Sequence, residues 1–234
     1  MNNVAAIFKK QIKDTLKNKT ILIQFILFPM LTLLMSRTVR VEGMPENFFV
    51  NLFAAMYIGM APLTSMAAVI AEEKEKNTLR VLIMSDVKPC EYLLGTGIYI
   101  WIICMAGSAV ICAAGGYGPQ EAAAFMGLMA AGILISLLAG ALIGTWSRTE
   151  MMATSLVVPV MMIFSFLPML SLFNPAIAKI AKFTYTEQIS RMIGQVGHLQ
   201  LRAENICILL ANGLIAVGLF TAAYKRGERE SAEL

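Results

Sequence analysis

Ala71–Gly95, AEEKEKNTLRVLIMSDVKPCEYLLG, decides how the rest of this chain is read. Glu72, Glu73, Lys74, Glu75, Lys76 and Arg80 crowd into about three helical turns, in a sequence otherwise built of long apolar runs. Near mid-bilayer each charge costs about 2.5–3.5 kcal/mol, so the stretch lies in water between two spans. Its first half consists of good helix formers and sets Glu72 four residues before Lys76, the favourable order for an ion pair. Leu79, Leu82 and Ile83 follow at i, i+3, i+4, an apolar stripe on a polar helix expected to run to about Ser85. There SDVKP supplies a turn. Pro89 biases Lys88 away from helical angles but suits the first turn of a new helix, with Glu91 near that helix's positive end.

Outward from this stretch, the 234 residues are 58% hydrophobic and 15% charged, more apolar than a soluble domain can bury. Six spans are predicted: Ile21–Ser36, Phe48–Ile70, Tyr92–Ala114, Ala124–Trp146, Met151–Phe173 and Ile206–Tyr224. The fold class is therefore all-α and polytopic, one transmembrane domain throughout. The first span is short and carries Pro29. Before it, Asn3–Asn18 puts Val4, Ile7, Phe8, Ile12 and Leu16 on one face and lysines largely elsewhere, a helix suited to lie on an anionic membrane surface. On the fourth span Gly132, Ser136, Gly140 and Gly144 form a small-residue face for close helix contact, either within one subunit or between two. Asn174–Asn205 is too polar to span. Asn174 and Pro175 make a good helix start there, and Ile189, Met192, Ile193 and Val196 recur as on a short amphipathic helix.

The net charge of +4 does not indicate a nucleic-acid partner, because the basic residues sit at helix ends instead of forming one stripe. Lys and Arg are commoner on the side of the N terminus, the charged stretch and the KRGERE tail. This places both termini in the cytoplasm of a multi-pass cell-membrane protein, although Lys179, Lys182, Arg191 and Arg202 dilute the bias. No glycine is followed by lysine, so the chain has no phosphate-binding loop, and any ATPase driving it is another chain. The predicted span cores contain no Asp, Glu, Lys, Arg or His, which disfavours a proton-coupled carrier. Cys90, Cys104, Cys112, Cys207 and the single His198 form neither a zinc nor a redox motif, so no metal site is expected. Adjacent Glu72 and Glu73 raise an intramembrane protease as an alternative, but Asn77 stands where its motif needs Arg and one histidine cannot supply its two His motifs.

A span ending in EE-K-E-K-N-T-L-R-V-L, then a Ser/Pro turn and a helix opening E-Y-L-L-G, resembles the first cytoplasmic loop of type-2 ABC exporter permeases. The resemblance implies a coupling helix that docks on a separate ATPase subunit, with Glu72, Glu73, Glu75, Leu79, Arg80, Leu82 and Ile83 as coupling residues. Two departures stand out: Asn77 where the pattern has Gly, and Lys88 where a small apolar residue is commoner. ATP and magnesium are expected on the partner ATPase, with no cofactor on this chain. A second permease copy or a paralogue is expected beside it. Implied too are an elbow helix at the N terminus and short helices before the last span that dip into the outer leaflet. Substrate contacts are expected from the second and fifth spans, at Asn51, Tyr57, Thr64, Thr154, Ser155 and Ser165. Short outer loops fit a small or amphiphilic export substrate. A non-transporting membrane anchor or regulator of an ATPase, of the immunity type, is the other reading.

Overall fold

The computed structural model describes residues 3–17, 19–39, 47–78, 82, 84, 87–198 and 203–232, and among them secondary structure is entirely helical. We number the helices α1 (Asn3–Lys17), α2 (Lys19–Thr38), α3 (Phe48–Glu75), α4 (Pro89–Gly115), α5 (Pro119–Trp146), α6 (Glu150–Phe173), α7 (Pro175–Ala181), α8 (Tyr185–Ile193) and α9 (Ala203–Ala232), with a short 3₁₀ turn at Val196–His198. Five of them, α3, α4, α5, α6 and α9, are long and apolar enough to cross a membrane; α2 contributes a shorter apolar stretch, Leu22–Thr38. The all-α polytopic expectation holds; five of the six expected spans correspond to these long helices, and the first falls on the shorter apolar stretch of α2.

α3 is the centre of the bundle. It packs against α2, α4, α5, α6 and α8. The small-residue stripe of α5 makes this possible. A Cβ on Gly140 would lie 2.4 Å from the Leu63 carbonyl oxygen, and one on Gly144 would lie 2.9 Å from Ile70 Cβ. Ser136, in the same stripe, donates to the Ile58 carbonyl at 2.7 Å and meets the Tyr185 hydroxyl at 2.8 Å. The stripe therefore serves packing within the subunit, and small residues let the two backbones come this close. On the opposite side Gly59 faces the backbone of Phe164 and Ser165, where a Cβ would sit 2.7 Å from the Phe164 carbonyl carbon.

α3 also runs further than the apolar pattern suggested. It continues from Ile70 through the charged residues to Glu75. Its 28 residues span about 42 Å at 1.5 Å per residue, against a hydrocarbon core of about 30 Å, so roughly two turns lie beyond the lipid. The helix then stops at Asn77, whose φ is +55°, instead of running on to Ser85 as the stripe implied. A left-handed residue ends a helix, and after glycine asparagine is the residue that adopts it most readily. The departure from the Gly pattern at this position thus preserves the conformation.

α1 does not simply rest on a membrane surface. Ile7, Gln11 and Thr15, one residue per turn, are buried against the bundle, whereas Ile12 remains 38% exposed. Gly95 admits the helix: a Cβ there would lie 2.9 Å from Ile7 Cβ. Phe8 meets Tyr99 edge-on with ring centroids 5.7 Å apart. At the far end of the bundle α7 begins as expected, with Asn174 Oδ1 accepting from the Ala176 N–H at 2.9 Å. α8 buries Ile189, Met192 and Ile193, with Val196 just beyond it in the 3₁₀ turn.

Candidate functional site

The charged end of α3 ties three helices together through three consecutive side chains. Glu73 is 6% exposed and accepts from Lys10 Nζ at 2.6 Å and Gln11 Nε2 at 2.7 Å, fixing α1. Lys74 Nζ donates to the Thr145 carbonyl in the last turn of α5 at 2.5 Å. Glu75 Oε2 accepts from the Glu150 N–H that opens α6 at 2.7 Å. The signs match the helix dipoles, since a cation meets a carboxyl terminus and an anion meets an amino terminus. Thr149 adds a second acceptor for the first turn of α6, taking the Met152 N–H at 3.2 Å. The short α5–α6 junction is thereby gripped from α3.

Glu72 and Lys76 form the anticipated ion pair. It holds the Lys76 ammonium above the usual lysine range, first through the hydrogen bond to Glu72 and then through that carboxylate's charge. Of the remaining predicted coupling residues, Leu79, Arg80 and Ile83 lie outside the described residues. Leu82 does not stand free in water: it is half-buried and packs against the main core. Met84, which the stripe did not include, is 80% exposed. The i, i+3, i+4 pattern could not separate these, because it presumed an unbroken helix across Asn77. Glu73 likewise faces inward, to α1. No sequence signal links residue 10 to residue 73; the pair needs a topology in which α1 folds back on the end of α3.

The expected pathway residues do not gather around one space among the described residues. Tyr57 is fully buried, its hydroxyl pressed against Gly107. Thr64 donates to Gln24 Oε1 and to the Met60 carbonyl, both at 2.8 Å. Ser165 is buried and donates to the Met56 carbonyl of α3 at 3.2 Å. Thr154 and Ser155 are exposed, each donating to its own helix one turn back. Asn51 borders a cavity of about 570 Å³ at the far end of the bundle.

That cavity lies between the start of α3, the α4–α5 turn, the end of α6 and the C-terminal part of α8. Asn51 Oδ1 accepts from Ser190 Oγ at 3.1 Å. Glu121 Oε2 accepts from the Gly118 N–H at 3.1 Å. Tyr117, on the same wall, has its phenol pushed up to about 12, mainly by burial and further by Cys112 and Glu121. Beside the cavity, Glu187 is 4% exposed and accepts from Arg191 Nε at 2.7 Å and Ser171 Oγ at 2.9 Å. Gln188 is buried and donates to the Lys182 carbonyl.

An all-helical bundle with five long apolar helices is a multi-pass membrane protein. The chain belongs to the ABC-2 family of transporter proteins, whose family model matches residues 2–223. It is thus a membrane subunit of the ABC transporter type, and the family implies an ABC ATPase as its partner. No curated protein matches the chain.

Proposed function

We propose that this chain is the permease subunit of an ATP-driven exporter, that hydrolysis takes place entirely on the partner ATPase, and that the charged end of α3 receives the partner's movement in the cytoplasm. The observation that carries this is the grip of Glu73, Lys74 and Glu75 on α1, α5 and α6. A displacement of the segment after Asn77 acts on α3, and through those three contacts it reaches three other helices at once. Met84 supplies an exposed apolar side chain for the partner to hold, since apolar anchors in a groove dominate such docking. A second permease subunit completes the pathway, and the cargo is small or amphiphilic.

The test is Met84→Asp in the full transporter, measuring membrane level, co-purification of the ATPase and efflux from sealed vesicles. Normal membrane level with at least tenfold less bound ATPase is the expected result; full docking and efflux would refute the docking role. Efflux in the unaltered complex separates an exporter from a non-transporting anchor. Orientation is checked by single cysteines at the exposed Lys76 and Gly118. Position 76 is expected to label only from the cytoplasm and position 118 only from outside.

A further inference from the structure

The far-end cavity has a use that packing does not explain. In one tight turn after α8, Gly194 and Gly197 both border it. A Cβ on Gly194 would stand 3.0 Å from Asn51 Nδ2, and one on Gly197 would stand 3.2 Å from Glu121 Oε1. The two glycines therefore leave bare the polar atoms whose other halves are already occupied: Asn51 Oδ1 is held by Ser190, and Glu121 Oε2 by Gly118. Glu121 has no ion pair among the described residues. Its neighbour Glu187, by contrast, is matched by Arg191. One carboxylate oxygen and one amide N–H group thus border a space whose wall combines the apolar Phe48, Leu52, Leu172 and Ile193 with the polar Asn47 and Tyr117.

We infer that this cavity binds a small organic cation: an ammonium group on an apolar body. The carboxylate of Glu121 takes the ammonium, a charge-assisted hydrogen bond in a partly desolvated site. The apolar residues of the wall cover the body, the usual division of labour in a ligand pocket. An anion of the same shape is rejected, because it would bring a second negative charge against Glu121. This site is complete within one subunit and does not depend on the transport reading.

The experiment uses the full chain in nanodiscs of phosphatidylcholine, with empty discs as the blank. Equilibrium dialysis compares tryptamine, its alcohol counterpart indole-3-ethanol, and indole-3-acetate. Saturable tryptamine binding is expected, at least about tenfold tighter than the alcohol, with no saturable binding of the acetate. Glu121→Gln keeps an acceptor for the Gly118 N–H and is expected to erase the difference between amine and alcohol. Glu204→Gln, at the exposed start of α9, is expected to leave it intact. Equal binding of amine and alcohol by the unaltered protein overturns the inference whether or not the variant folds. So does an amine preference that survives Glu121→Gln, or no saturable tryptamine binding at low millimolar concentration.

Discussion

α3 and α9 both qualify as membrane spans, yet α3, the less apolar of the two, is 83% buried along its most apolar stretch against 6% for α9. In water the order would be reversed. Inside a bilayer the surroundings are as apolar as leucine, so hydropathy marks which helices cross and says little about which lie at the centre. What marks the centre is closeness and polarity. α3 is met by Gly132, Ser136, Gly140 and Gly144 of α5 and carries Thr64 and Ser65 buried along its length. α9 instead turns Leu210, Leu214, Ile215 and Leu219 outward. Gly218 on α9 has nothing within 4 Å of where its Cβ would stand.

The strongest way to break this contrast is Gly140→Ala. A single methyl there meets the Leu63 carbonyl oxygen at 2.4 Å, and backbone cannot step aside as a side chain does. The expected cost is about 3 kcal/mol, at the upper end for overpacking, seen as a fall in thermal midpoint or loss of monodisperse protein in detergent. An unchanged midpoint would mean that α3 and α5 do not cross here. Next comes Glu73→Ala, which leaves Gln11 buried without its acceptor and Lys10 with only its 3.8 Å contact to Asp14. We expect a loss of about 1–3 kcal/mol and faster tryptic cleavage at Lys9, Lys10 and Lys13 as α1 comes away; protection equal to the unaltered protein would show that the clamp does not hold α1. Leu82→Asp is expected to destabilise the fold by more than Met84→Asp does, because only the first side chain packs on the core. Equal thermal midpoints for the two would remove that distinction. The smallest effect is Gly218→Ala on α9, expected to leave stability unchanged or raise it by up to about 1 kcal/mol through helix propensity. A marked loss would reveal a close neighbour for α9.

Much of this arrangement was legible in the residues. The long apolar runs announced the spans, and Asn174, Pro175 and the Glu72–Lys76 spacing gave local structure that needs only neighbours in sequence. The site was less legible because its contacts join distant residues. Glu73 reaches Lys10 and Lys74 reaches Thr145, and charge alone does not say where a side chain turns. Asn77 shows the same limit on a smaller scale. Apolar spacing carried the helix through it, but the left-handed turn there ended α3 and separated Leu82 from the exposed position it was expected to share with its stripe.

The clamp between α1 and α3 also sets an order of events during synthesis. Lys10 and Gln11 leave the ribosome 62 or 63 residues before the carboxylate that will hold them. At about 5–20 residues per second this is an interval of roughly 3–13 seconds. Through that interval α1 has no protein to close on, and its remaining apolar residues, Ile12 among them, give it the membrane surface as a waiting place. α1 is thus made well before the carboxylate that locks it, and its docking reports that α3 has been inserted with its charged end on the same side.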